Sequence, residues 1–516
     1  MADNAATRGS SISFQNLPSE LIDAILYWLP PHDLAMLSAT CRALHKAATS
    51  DSHWRRCVQE NVPFHLAKAP GSYVTSYRQL YAAYDRLWFL PKYKIWFSDR
   101  NLAGRLVIAC FDPRRGCIDG YQLLAVSSER SYADWVGSEE DSEVKIHSFK
   151  PYVRLHLDRP IIHFGLDKSS MDFRNQEGNR YANAMPMALD DRENGMFSNF
   201  MLTKALDPVK VEEGFRQGFP YGSVWPPPCI PARCHAAGFL PGQPEESHSS
   251  YDRPQRRGEV SDQSFHIRQW MEMVGSPAAE RAIARSAFNP LNRRHAYQNI
   301  GHGALSIHIG EELITYSTLD PSLYTPTPTK PWRGIWVGDY SGHGCEFLLL
   351  HQPDDEPATD SDLGLVREEG ESDGSWEQRR LEARIYRGRL EAIKLTGDPN
   401  IPRGEYTFVA DDLGPEGFVK FETAAPFEGV RVVKSKGHVA RTGFEEGMYQ
   451  ADNGQQDPGL GLSGLATNEK TDMFISSHLM LLSHNRLAQY WLEFGHISYF
   501  ERVNIDNFIN PAASSF

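Results

Sequence analysis

Apolar positions along the chain recur at two different spacings. From Leu17 to Trp54 the spacing is helical: Leu21, Ile22, Ile25, Leu26 and Leu29 form an apolar stripe on a short helix. Pro30 and Pro31 stop that helix, because a proline ring clashes with the preceding turn and removes a backbone donor. Asp33 is placed to cap a second helix carrying Leu34 and Leu37. Cys41, Arg42 and Leu44 continue in a third, and Trp54 closes the unit. A unit of about 40 residues is too small for a self-sufficient core and has to lean on something else. A second helical run covers 73–90, where Tyr77, Leu80, Tyr81, Tyr84, Leu87 and Trp88 share a face and Pro91 ends the run. Its aromatic face predicts a rigid connector, packed on both the unit before it and the domain after it.

Past Lys94 the spacing becomes that of strands. Residues 94–97, 105–111, 121–126 and 152–157 are short β-prone runs, broken by turn chemistry at Asp112-Pro113 and Asp119-Gly120. Strand patterns return at 313–316, 334–340, 346–351, 389–395, 406–409, 430–433, 479–482, 486–493 and 497–503. About ten strands with few helices among them predict a barrel or two packed antiparallel sheets. The expected fold class is α+β: a three-helix unit and a connector helix, then a large antiparallel β-barrel or two-sheet domain with long loop insertions. The expected divisions are a disordered tail over 1–13, the helical unit over 14–60, the connector over 61–93 and the β-rich domain over 94–510. Within that domain, 168–262 is rich in Asn, Gly, Pro, Ser and Arg and reads as loop insertions, with short helices near 207–215, 264–273 and 277–287. Residues 352–378 read as an acidic loop. Ten Asp or Glu stand against one Arg between 354 and 377, and like charges at that density resist burial.

Composition changes this picture little. The 516 residues are 41% hydrophobic and 23% charged, ordinary for a globular chain, and the length exceeds one typical domain. A net charge of −13 argues against a nucleic-acid partner, which needs a basic face. No run of about 18 apolar residues predicts a membrane helix, and the first residues lack the apolar core of a signal peptide. Seven scattered cysteines, an odd number, fit reduced thiols better than a disulfide framework, which points to the cytoplasm, the nucleus or both.

The order Leu17-Pro18, Glu20-Leu21, Ile25-Leu26, Leu29-Pro30, Asp33-Leu34, Leu37, Cys41-Arg42 and Trp54 closely resembles an F-box. That resemblance implies docking on a Skp-type adaptor and, through it, on the cullin and RING subunits of a ubiquitin ligase. The residues expected to touch the adaptor are Leu17, Pro18, Leu21, Ile22, Leu26, Leu29 and Leu34. Ile25, Leu37 and Trp54 are expected to pack internally. An ordinary helical cap on the larger domain is the bland alternative.

Three further blocks carry a second resemblance: 332–350 with Gly338-Asp-Tyr-Ser-Gly-His-Gly-Cys345, 394–404 with Thr396-Gly-Asp-Pro-Asn-Ile-Pro402, and 485–494 with Asn485-Arg-Leu-Ala-Gln-Tyr-Trp-Leu492. Together they look like the substrate domain of the F-box only protein thirty-one family, with loops that differ between blocks. This likeness implies a β-barrel-like receptor that captures a protein target through a short, C-terminal peptide. Tyr340, His343, Asp398 and Asn400 are the candidate target-binding residues. Rigid turns explain the same residues: Pro399 fixes φ, and Gly397 and Asn400 tolerate left-handed φ. Animal receptors of that family carry a Cys/His metal cluster after the Arg-x-His-Leu strand. Here 158–228 holds His163 and no cysteine, and Cys229, Cys234 and His235 lack an evident closing pair, so no metal or other cofactor is expected. No nucleophile elbow, metalloprotease helix, phosphate loop or Rossmann glycine set is present, so the chain is expected to be non-catalytic. The competing reading is an F-box protein acting outside a ligase, with a carbohydrate- or peptide-binding β-sandwich.

Overall fold

The helical spacing of the first apolar stretch folds into four short helices. They are α1 (Ser19–Leu26), α2 (Pro31–Ser38), α3 (Arg42–Ala48) and α4 (Asp51–Gln59). Pro31 both ends the first run and opens α2, where the missing N–H would have no helical partner. The third run breaks after Ala48 and restarts as α4, and the buried Trp54 spans the break by donating its indole N–H to the Ala48 carbonyl at 2.8 Å. The connector expected as one helix is two: α5 (Tyr77–Ala83) and α6 (Phe89–Tyr93), separated by turns. Pro91 sits in the first turn of α6 rather than ending a helix, again where no intrahelical donor is needed. The break matters for packing, because it brings Tyr84, Leu87, Trp88, Phe89 and Leu90 all into the core.

A computed structural model of the chain describes residues 14, 17–67, 69–71, 73–98, 104–127, 131–135, 144–158, 160–166, 188–189, 199–204, 254, 256–271, 310–339, 344–397, 401, 403–439 and 473–509. The expected tail at 1–13 and the expected helices at 207–215 and 277–287 lie outside the described residues.

The first strands build an open sheet. They are β1 (Ile95–Ser98), β2 (Arg105–Asp112), β3 (Cys117–Ser127), β6 (Pro151–Leu155), β7 (Ile162–Gly165), β8 (Ala188–Leu189), β9 (Asn199–Lys204), β10 (Val260–Met271) and β11 (Gly310–Ser317). Their order is β6-β3-β2-β1-β11-β10-β9-β8, with β7 also paired to β3. A separate hairpin, β4 (Tyr132–Trp135) and β5 (Val144–His147), lies beside them in sequence. The helix expected near 264–273 is instead part of β10. Phe265 and Ile267 alternate into the core while the strand pairs with β9 and β11, and this non-local pairing overrides the local pattern.

The second set of strands closes on itself. After α7 (Pro321–Tyr324) come β12 (Gly334–Asp339) and β13 (Cys345–His351), then α8 (Asp373–Ile385). The remaining strands are β14 (Leu390–Lys394), β15 (Tyr406–Ala410), β16 (Phe418–Phe421), β17 (Arg431–Val439), β18 (Met473–Ser483), β19 (Arg486–Trp491) and β20 (His496–Arg502). Eight of these form an antiparallel barrel in the order β15-β14-β13-β12-β20-β19-β18-β17, closed where Phe408 of β15 faces Gly437 of β17. A side chain at Gly437 would collide with the Trp491 ring at 2.1 Å, so this position needs glycine to let the ring fill the barrel. Of the two expected alternatives the barrel is the one formed, and a single open sheet precedes it.

Three layers result. One face of the open sheet (Trp96, Val107, Ala109, Phe111, Ile118, Phe265, Ile267) shares a core with Leu26, Leu34, Trp54, Tyr77, Leu80, Tyr84 and Trp88 of the helices. The other face (Ile95, Phe97, Leu106, Ile108, Leu123) shares a core with the outer side of the barrel, through Ile335, Val337, Leu349, Ile393, Ile497 and Tyr499. This explains why β2 is an almost unbroken apolar run: it is buried on both sides. A third core fills the barrel, with Trp332, Trp336, Leu348, Leu390, Phe408, Leu479 and Phe500.

The helix-to-sheet core predicts a measurable coupling. Trp88→Ala removes a ring packed on Tyr81, Tyr84 and Phe111. It should cost about 3–5 kcal/mol, the range for a buried aromatic truncation. Urea unfolding followed by fluorescence and by circular dichroism checks this; a loss below about 1 kcal/mol contradicts a shared core.

Candidate functional site

Two surfaces stand out, one on the helical unit and one at an end of the barrel. On the helical unit, α1 is apolar on two sides. Ile22, Leu26 and Leu29 turn inward, where Leu26 is fully buried and the others are half-buried against the core. Leu21, Ile25 and Trp28, at i, i+4 and i+7, turn outward, and Trp28 is 81% exposed. Tyr27 and Met36 extend this apolar surface. Of the residues expected on the outer face, Pro18 and Leu21 are exposed, and Leu17, Ile22 and Leu29 are half-buried. Leu26 and Leu34 are fully buried core residues, and Ile25, expected inside, is exposed. The physical reason is the width of the apolar arc, which is broad enough to face both the core and the outside.

The barrel interior is graded. Its deep half is apolar around Trp332, Trp336, Leu350, Leu390 and Leu487. Toward the end where β12, β14, β17 and β19 finish, the lining becomes polar. Lys394 pairs with Glu346, both buried, and the Thr407 hydroxyl donates to Glu346 at 3.3 Å. Ser435 and Ser477 hydroxyls meet at 2.8 Å, and Gln489 donates to Ser477 at 3.0 Å. The Gln489 carbonyl oxygen has no partner among the described residues, although the side chain is fully buried. Trp491 donates its indole N–H to Ser498 at 3.1 Å. Exposed Phe474, stacked on His438 with centroids 4.8 Å apart, and exposed Phe494 stand near the same end. Tyr340, His343, Asp398 and Asn400 lie outside the described residues. The strands flanking them are described, however. Asp339 faces Cys345 and Ile393 faces Tyr406, so both connections leave from this polar end.

Comparison with known proteins finds a match for the helical unit. Residues 14–60 match the family described as F-box-like. The chain carries an F-box. F-box only protein 24 of Macaca fascicularis and of Homo sapiens are each 38% identical to it over 56 residues, 11% of this chain and 10% of each relative. The chain therefore matches only about a tenth of the length of these curated relatives. Residues 316–507, which contain the whole barrel, match the family described as Cyclin D1 binding domain. The two family matches thus fall on the helical unit and on the barrel, and the open sheet lies between them.

Around the F-box and barrel, several residues with suggestive chemistry have structural work. Asp411 binds Arg389 and Lys436, and Asp412 accepts backbone N–H bonds from Gly388, Glu416 and Gly417, so this adjacent pair serves two turns. Cys345 is half-buried. The acidic run differs from a free loop: its second part forms the start of α8, and arginines just beyond it turn back onto it. Asp360 holds Arg380 and Arg384, at 3.0 and 2.6 Å. Arg379 donates to Glu371 and holds its carboxyl down at about 2. Counting charges only inside the run hid these partners.

Sequence reasoning also missed the Glu346–Lys394 pair, although a signal existed. Glu346 is the one carboxylate in the mostly apolar β13, and Lys394 puts the opposite charge at the end of β14, which also carries Glu391. Lys394→Met should destabilise the barrel by about 3–5 kcal/mol, because it removes the cation facing a buried carboxylate. Adding Glu346→Leu should recover most of that loss. Denaturation of the two variants tests this, and a double variant as unstable as the single one contradicts it.

Proposed function

We propose that this chain is a substrate-recognition subunit of an SCF-type ubiquitin ligase. The observation that carries the reading is the outward row Leu21, Ile25 and Trp28 within the F-box match, an apolar surface left exposed among the described residues. A Skp-type adaptor is its occupant in this reading, linking the chain to cullin and RING subunits. The chain supplies no bond-making step of its own. It contributes proximity, raising the local concentration of a target's lysines near the charged conjugating enzyme.

The polar end of the barrel is the proposed target site. A rigid barrel wall, buried hydrogen-bonding groups and exposed aromatic rings at the rim are what capture of a short peptide requires. The likeness of the sequence blocks to the F-box only protein thirty-one family supports a C-terminal peptide as the captured element. The matched family description makes a D-type cyclin the first target to try.

Adaptor capture by the purified chain tests the reading. Trp28→Ala should weaken adaptor binding by about 2 kcal/mol, roughly 30-fold, as for a central aromatic anchor. Ile25→Asp should abolish it while the thermal transition stays in place. Leu26→Asp does not discriminate, because it charges the core. Undiminished adaptor binding by both surface variants sinks the proposal, and adaptor binding without cullin recruitment favours a role outside a ligase.

A further inference from the structure

Outside both surfaces, one buried cluster is used by neither. Cys117 and Asp119 lie two apart on β3 and so share a face, and the register sets His163 of β7 directly opposite Asp119. The Cys117 Sγ, an Asp119 oxygen and a His163 nitrogen all lie within 4.8 Å of one another, and all three residues are buried. His163 Nδ1 is 2.6 Å from Asp119 Oδ1, and Cys117 Sγ is 3.4 Å from Asp119 Oδ2.

We propose that Cys117, Asp119 and His163 form a zinc site. Sulfur, imidazole nitrogen and carboxylate oxygen are the donor types that zinc accepts together, and three of them leave a fourth position for water or another ligand. Cys110, opposite Asp119 on β2, presents a further thiol on the same face. Arg115 donates to Asp119 Oδ2 at 2.5 Å, which leaves Oδ1, facing His163, as the ligating oxygen. A carboxylate ligand whose second oxygen is held in this way is the usual outer support of a metal centre.

The surrounding backbone is fixed as such a centre requires. The buried Tyr84 hydroxyl hydrogen-bonds the carbonyls of Gly116 at 2.5 Å and Phe164 at 3.1 Å. These residues adjoin Cys117 and His163, so the helical connector pins both ligand-bearing strands at the point where zinc would join them. The metal would tie β3 to β7 beneath the connector. This site is separate from Cys229, Cys234 and His235, which lie outside the described residues.

The test uses the full chain, purified without chelator. Elemental analysis should find about one zinc per chain at this site, and cobalt substitution should give a thiolate-to-cobalt absorption band with tetrahedral visible bands. Cys117→Ser and His163→Gln should each lose that band while adaptor capture reports a folded F-box. Arg115→Gln should retain the band and weaken zinc affinity by about 10- to 100-fold. A Cys229→Ser/Cys234→Ser double variant should keep the band. Metal-free wild-type chain that takes up no cobalt overturns the proposal. So does a band that survives Cys117→Ser and His163→Gln, or one that disappears only with Cys229 and Cys234.

Discussion

Aromatic packing between the connector and the open sheet is the contact on which the rest of the architecture depends. The F-box has too few residues to hold itself together, and its buried Leu26, Leu34 and Trp54 share one core with Tyr77, Leu80, Tyr81 and Trp88, where Trp54 packs on Tyr81. Trp88 in turn packs on Phe111, and Phe89 packs on Trp96 and Phe265. Polar contacts fix the same joint: Asp51 accepts the Tyr77 N–H at 2.6 Å, Tyr93 donates to Asp262 at 2.9 Å, and Arg257 pairs with Asp85 at 2.6 Å. Their individual worth is small, because the outer pairs are partly exposed. The apolar interlock sets the angle, and the hydrogen bonds select one way of closing it.

The open sheet then acts as a spacer with two apolar faces. It takes the F-box on one face and the barrel on the other, so a force or position at one end is transmitted through packed side chains rather than through a linker. Buried groups at the far end of the barrel have to be satisfied internally, and most are: Glu346 with Lys394, Ser435 with Ser477, Trp491 with Ser498. The Gln489 carbonyl oxygen lacks a partner among the described residues, and it lies in the polar half of the lining. A receptor that must hold a flexible target near a reactive partner gains from such stiffness, because the reach of the bound target is then set by the target alone.

Much of this was legible in the sequence, for identifiable reasons. Barrel strands such as β12 and β13 read correctly because alternation and turn residues are local signals. The stripe on α1 was legible as apolar but not in phase. Exposed and core positions on this helix are both hydrophobic, so the burial of Leu26 and the exposure of Ile25 leave no mark on the pattern. Residues 264–273 misled because Ile267, Trp270 and Met271 also fit a helical spacing, while the pairing that makes β10 comes from strands distant in sequence. The same non-locality hides the Cys117, Asp119 and His163 cluster, whose histidine is 44 residues from its carboxylate and arrives only through the β3–β7 register. The acidic run misled in another way, since its neutralising arginines lie just past its end.

The central claim is that F-box and barrel move as one body. The distance distribution between spin labels on non-natural amino acids at the exposed positions Lys46 and Glu428 tests it most directly. A single narrow distribution, unchanged when adaptor binds and broadened by Trp88→Ala, is the predicted result. A broad or two-peaked distribution in the unaltered chain would contradict a rigid joint.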